Sequence, residues 1–299
     1  MKIAYIMLCH KNPEQINRFI NSLQHQDNDF YIHIDVKSSI ENKLISSDNI
    51  FILNKSDRID VKWGGSSMIH ATLRLIKEVL DSARYYDYIW LISGQDYPIK
   101  DNKTISKFLK KNKDANFLHI IEDKKTIGRF LKRVEIYYPK WMVQNNFWSK
   151  TTKRTYSVLL RNDRIYKMFK RKNILNYEFY FGSQWWVLTY EAIDYVYELL
   201  EGNSAVLDFF ENALVPDEMF FQTILMNSRF RNTIKNNLTY IKWEGQAHPK
   251  TFTLEDINEL ESKNFLLARK FDYDIDRDIF DKLDSLILSN IGSSSIISK

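Results

Sequence analysis

The 299-residue sequence predicts an α/β protein with a mainly parallel central sheet flanked by helices. Three observations carry that expectation. Short continuous apolar runs, such as Ile3-Ala4-Tyr5-Ile6-Met7-Leu8 and Tyr88-Ile89-Trp90-Leu91-Ile92, read as strands buried on both faces. Segments of helical periodicity lie between them. Hydrophobic residues make up 44% of the chain and charged residues 27%, an ordinary soluble composition at a length that can bury a sizeable core.

Taken in order, residues 2–8 are the first strand. Asn12-Pro13-Glu14 opens a helix to about 24, because proline suits a first helical turn and Ile16, Phe19, Ile20 and Leu23 share one face. Strands are expected at 30–34 and 50–53. A helix over 67–83 carries Ile69, Leu73, Ile76 and Leu80, and further strands follow at 88–92 and 117–121. Residues 122–176 break the alternation and are rich in Lys, Arg and aromatics, including Arg129, Lys132, Arg133, Tyr137, Trp141 and Arg154. We read them as a partly helical insertion that holds an acceptor, docks on a membrane surface, or is a solvated basic face. After it come a strand at 185–188, a helix at 190–200, a helix beginning at Pro216, a strand at 238–243, a helix near Leu254, a strand at 265–269 and a last helix from about 278. The serine-rich tail, Ser293-Ser294-Ser295, is expected to fray. The organisation is one domain in three parts: 1–121, the insertion 122–176, and 177–290.

The formal net charge of +5 suits a phosphate-bearing ligand or an anionic surface and does not require nucleic acid, for which no recognised module is present. Cys9 is the single cysteine, so a reducing compartment is the default. No apolar run approaches the ~20 residues of a membrane span, and residues 1–8 are too short for a signal peptide. These features point to a cytoplasmic protein that can bind peripherally to a membrane.

Ligands of parallel sheets bind beyond the carboxyl ends of the strands, so the loops there come first. In His33-Ile34-Asp35-Val36-Lys37, Asp35 either accepts hydrogen bonds from a ribose or base, or caps a turn. In Trp63-Gly64-Gly65-Ser66-Ser67, Gly64 and Gly65 allow close approach of backbone to a donor, or simply a tight turn before a helix. Ser93-Gly94-Gln95-Asp96-Tyr97-Pro98-Ile99 follows a buried strand, and Asp96 binds sugar hydroxyls or fixes the turn. Gly182-Ser183-Gln184-Trp185-Trp186 sets two indoles on opposite faces of a strand, one for the core and one for a sugar ring to stack on. In Val215-Pro216-Asp217-Glu218, the two acids either cap a helix or place a general base at a pocket mouth. In Leu267-Ala268-Arg269-Lys270-Phe271-Asp272, Arg269 and Lys270 bind a diphosphate, or pair with Asp272 or Asp274. No metal-ligand spacing and no nucleophile elbow stand out.

Six of these segments, in this order, resemble the core-2/I-branching β-1,6-N-acetylglucosaminyltransferases and the related peptide O-xylosyltransferases. The resemblance spans about residues 3–285. It implies a GT-A-type nucleotide-sugar fold, a UDP-sugar donor, inversion at the anomeric carbon with formation of a β-linkage, and no metal or other cofactor. By resemblance, Glu218 is the catalytic base, Asp35 contacts the uridine part, Asp96 lies near the donor sugar, and Lys270 stabilises the departing diphosphate. Arg269, Gly64 and Gly65 complete the donor site, and Trp185, Trp186 and Asp217 serve the acceptor. The family's arginine in the preceding strand aligns with Thr239, so Lys242 or Arg269 stands in. The chain resembles compact bacterial forms, which implies a glycan or lipid-linked acceptor in surface polysaccharide synthesis at the inner membrane face. N-acetylglucosamine is the first-choice donor sugar, with xylose, galactose and glucuronate as alternatives. A non-catalytic carbohydrate- or membrane-binding scaffold is the reading from another class.

Overall fold

The computed structural model describes residues 1–143, 147–160, 162–245 and 248–295. The first half runs β1 (Ile3–Cys9), α1 (Pro13–Ser22), β2 (Asn28–Ile34), β3 (Ile50–Ile52), α2 (Ser67–Asp81), β4 (Tyr88–Ser93), β5 (Asp96–Pro98), α3 (Asn102–Lys111) and β6 (Asn116–Leu118). Next come α4 (Lys124–Glu135), α5 (Phe147–Leu159) and α6 (Asp163–Phe169). The second half contains β7 (Trp186–Thr189), α7 (Tyr190–Gly202), α8 (Ser204–Glu211), α9 (Phe220–Met226), β8 (Ile234–Lys235), β9 (Thr239–Ile241), α10 (Ile257–Ser262), β10 (Leu267–Arg269) and α11 (Asp278–Ser295). The serines at 293–295, expected to fray, continue α11.

A seven-stranded sheet has the order β3-β2-β1-β4-β7-β6-β8. β1 pairs in parallel with β2 and β4, β2 with β3, and β6 with β8. β7 is antiparallel to both of its neighbours. The fold is thus the expected mixed α/β arrangement, with strands from both sides of 122–176 in one sheet. β1, β2 and β4 are buried along their whole length, which is why β1 and β4 read as nearly unbroken apolar runs, while β2 also buries Asn28, Asp29 and His33.

Alternate residues of β1 feed two cores. Ile3, Tyr5 and Met7 pack with α1, α11 and β10, while Ala4, Ile6 and Leu8 pack with α2, α7 and α9. A second sheet, β5-β10-β9, was not anticipated. β5 is only Asp96-Tyr97-Pro98, too short and proline-bearing to read as a strand, yet it pairs antiparallel with β10. That pairing brings residues 96 and 269 together at the sheet edge. No helix among the described residues is long and apolar enough to cross a membrane.

Candidate active site

A cavity of about 990 Å³ opens beyond the carboxyl ends of β1, β2 and β4. Leu8, Cys9 and His10 line it from β1, His33 and Asp35 from β2, and Ser93 and Gln95 from β4. Arg133, Trp185, Asp217, Glu218, Arg269 and Lys270 complete its walls from segments far apart in sequence.

Asp35 is held at the end of β2. Its Oδ1 accepts the Lys37 N–H at 2.9 Å, its Oδ2 the Val61 N–H at 3.2 Å, and the Lys37 ammonium lies 3.5 Å away. An ionised carboxylate has about four acceptor sites, so capacity remains for a ligand N–H or O–H. Beneath it, His33 Nε2 accepts the Ile59 N–H at 2.8 Å, and burial pushes this histidine down to about 4, leaving it neutral.

The Asp217–Glu218 segment departs from a regular helix start. Val215 takes a left-handed conformation (φ 54°, ψ 53°), costly for a β-branched residue, and Pro216–Glu218 form one 3₁₀ turn. Met219 (φ −144°) interrupts the chain before α9 begins, so the acids stand on a separate turn and not on α9 itself. Neighbouring backbone fixes that turn. The Val215 N–H donates to the Gly64 carbonyl at 2.9 Å, and the Gly182 N–H to the Glu218 carbonyl at 2.8 Å. A Cβ at Gly182 would sit 1.7 Å from the His119 carbonyl oxygen, so only glycine permits this approach.

Glu218 meets a partner that sequence reading left in the insertion. Arg133 of α4 donates from Nη1 to Glu218 Oε2 at 2.7 Å, with its guanidinium stacked 3.6 Å from the centre of the Phe130 ring. Asp217 behaves differently. Its Oδ1 is buried with no hydrogen-bond partner among the described residues, and burial, then the adjacent Glu218 charge, raises its pKa to about 7.

The two cations at the end of β10 are distinct. Arg269 donates from Nη1 to Asp96 Oδ1 at 2.8 Å and lies 4.5 Å from the centre of the Trp185 ring. Lys270 has no carboxylate partner among the described residues, because Asp272 is taken by Lys11 at 2.5 Å and Asn12 at 2.7 Å. Burial, then Arg269 and Lys11, hold the Lys270 ammonium below the usual lysine range.

The remaining residues singled out from sequence are not all on the cavity wall. Asp96 is off the cavity wall: its carboxylate is fully buried, accepting the Ser93 N–H and bonding Arg269. Trp186 lies in the core against Phe221, while Trp185 borders the cavity beneath Arg269. Gly64 and Gly65 also lie off the wall; Gly64, at φ +80°, serves the turn that grips Val215. Thr239 is buried in β9 beside the cavity, and Lys242 pairs with Glu259 and Glu244, whereas Arg269 lines the cavity together with Lys270 and Arg133.

Trp63 and Trp243, 61% and 60% exposed, and Gln184, whose Nε2 has no partner among the described residues, also line the cavity. Trp63 and Gln184 stood inside segments singled out from sequence, but an exposed tryptophan is invisible without burial. Among the described residues, no three His, Cys, Asp or Glu side chains converge on a metal-sized site.

A family model described as "Branch: Core-2/I-Branching enzyme" matches residues 3–265. The chain belongs to the core-2/I-branching enzyme family. Its fold is accordingly GT-A-like, and the first five motif segments fall within the matched residues, while the last, at 267–272, lies just beyond them. Among curated proteins similar to this chain, Xylosyltransferase 2 of Rattus norvegicus is 25% identical over 310 residues, covering 95% of this chain and 33% of that protein. Xylosyltransferase 1 of Rattus norvegicus is 23% identical, covering 97% and 36%. Xylosyltransferase 2 of Homo sapiens is 25% identical, covering 95% and 33%. The chain spans about a third of the length of these relatives.

Proposed function

We propose that this core-2/I-branching family member is an inverting glycosyltransferase that moves a sugar from a UDP-sugar to an acceptor hydroxyl, forming a β-linkage. The observation that carries the reading is that Glu218 and Lys270, which has no carboxylate partner among the described residues, line one cavity at the carboxyl edge of the parallel strands. Glu218 takes the proton of the acceptor hydroxyl while that oxygen attacks the anomeric carbon opposite the diphosphate. The bond from that carbon to UDP breaks, and the charge left on the phosphate oxygen is met by Lys270, with Arg269 beside it. A fixed cation aimed at developing charge stabilises the transition state. Arg133 orients Glu218, Asp35 receives the uridine part, and Trp185 and Asp217 border the acceptor.

These ammonium and guanidinium groups do the work for which other transferases hold a divalent ion, so we propose turnover without one. N-acetylglucosamine is the donor sugar we favour from the motif resemblance. Xylose is the second reading, favoured by the names of the similar curated proteins. Donor hydrolysis across UDP-N-acetylglucosamine, UDP-xylose, UDP-galactose and UDP-glucuronate separates them, since such choices rest on contacts of about 1–3 kcal/mol each. We further propose a glycan or lipid-linked glycan acceptor, in bacterial surface polysaccharide synthesis on the cytoplasmic side of the membrane.

The test is Glu218→Gln. Transfer falls by about two to four decades, the loss expected for a general base, while UDP affinity is retained. Unchanged transfer removes Glu218 from the chemistry. A chain without any UDP affinity favours instead a carbohydrate- or membrane-binding scaffold.

A further inference from the structure

Residues 137–174 hold ten of the chain's 43 Lys and Arg residues but only one of its 38 acids, Asp163, which leaves the rest of the chain net acidic. The same stretch exposes large apolar side chains: Trp141, Val158, Leu159, Met168, Phe169 and Ile174. Met168 is 80% exposed. They are not a poorly covered core, because a separate cluster of Ile136, Tyr138, Met142 and Leu160 is already buried beneath them.

Tyr156 gathers these residues. Its ring meets Phe169 and Tyr138 edge-on, each at 5.8 Å, and its hydroxyl donates to the Tyr137 carbonyl at 3.5 Å. The exposed ends of α5 and α6 therefore share one neighbourhood with residues 137–142. Exposed Arg154, Arg164, Lys167 and Lys172 have no carboxylate partner among the described residues. Lys140 and Lys170, by contrast, pair with Glu211 and Glu135. The layer is fastened to the cavity wall: the Tyr138 N–H donates to the Asn212 carbonyl at 2.9 Å, and the Leu214 N–H to the Arg133 carbonyl at 2.8 Å.

We propose that the exposed face formed by residues 137–142, 154–160 and 164–174 docks on an anionic phospholipid bilayer and keeps the cavity beside the headgroup layer. Unpaired cations draw such a face to acidic lipids, and exposed aliphatic and aromatic side chains enter the boundary between headgroups and acyl chains. Nucleic acid fits less well, since Val158, Leu159, Met168 and Ile174 offer neither a stacking plane nor a hydrogen bond to a base. A protein partner fits less well too, because interface cores are depleted in charge. The proposal concerns the partner and does not need the donor reading.

The experiment is co-sedimentation of the full chain with vesicles of phosphatidylcholine alone or mixed with phosphatidylglycerol, at low and high salt. Binding is expected to the mixed vesicles and to weaken with salt. A cation near an anionic surface contributes about a factor of five, so Arg154→Gln/Arg164→Gln/Lys167→Gln/Lys172→Gln lowers partitioning by about two orders of magnitude or more. Met168→Ser/Ile174→Ser lowers it about tenfold at unchanged charge. Circular dichroism and UDP titration of both variants should match the parent chain, which separates this surface from the nucleotide site. Four results would overturn the proposal: equal sedimentation with both vesicles, undiminished binding by the charge variant, undiminished binding by the apolar variant, or displacement from vesicles by a single-stranded oligonucleotide.

Discussion

Arg269→Ala isolates a contact of the site that sequence reading did not find. Asp96 is fully buried and its Oδ1 bonds Arg269 at 2.8 Å. Removing the guanidinium strands that carboxylate, a change that typically costs about 3–5 kcal/mol. Loss of the stacking contact on Trp185 adds about 0.5–2 kcal/mol. The cost depends on pH. Burial raises the Asp96 pKa, and Arg269 opposes that rise, so without Arg269 the folded-state value climbs further above the unfolded one. A raised carboxylate contributes stability below its unfolded pKa that is lost as pH rises through its folded pKa. The defect of Arg269→Ala is therefore largest at neutral pH and shrinks towards about pH 4, where Asp96 takes a proton in both states. Urea unfolding of the parent, Arg269→Ala, Asp96→Asn and the double variant measures this directly. The double variant should be more stable than Arg269→Ala, because no stranded charge remains. A cost below about 1 kcal/mol at neutral pH, or additive single and double variants, would refute a coupled buried pair.

Two further predictions concern the turn that carries Glu218. Asp217, raised to about 7 by burial and then by Glu218, gives stability that is present below its unfolded pKa and lost as pH rises through about 7. The urea midpoint of the parent should therefore decline across that window relative to Asp217→Asn; parallel profiles would show that Asp217 ionises normally. Gly182→Ala forces a Cβ against the His119 carbonyl, so the 180–183 backbone must shift and the hydrogen bond to the Glu218 carbonyl is lost. We expect a stability loss of at least about 2 kcal/mol and transfer activity reduced more than UDP affinity; an unperturbed melting temperature would contradict the geometry.

The fold was legible where burial is symmetrical. β1 and β4 are covered on both faces and announce themselves as apolar runs, and α1 and α2 show single apolar stripes. Of the second sheet, β9 and β10 were expected as strands but β5 was not, because it is three residues long and pairs across 173 positions at Asp96–Arg269. The same distance in sequence hid the Asp96–Arg269 bond, so an Asp at the end of a central strand looked free to meet a sugar. Arg133 was visible only as one cation in a basic stretch, and 85 residues separate it from Glu218. In the Trp185-Trp186 pair, alternation told that one indole faces the core, but only the sheet register, with Trp186 opposite Leu91 and Leu118, tells which.

UDP titration by calorimetry, in excess EDTA, of the parent chain, Lys270→Ala and Glu218→Gln bears most directly on the reading of the cavity. We expect the parent and Glu218→Gln to bind UDP alike without added metal, and Lys270→Ala to bind at least about tenfold more weakly, the size of one lost charge-assisted contact. Binding that appears only with a divalent cation, or that ignores Lys270, would contradict the proposed division of labour between a glutamate base and a lysine at the diphosphate.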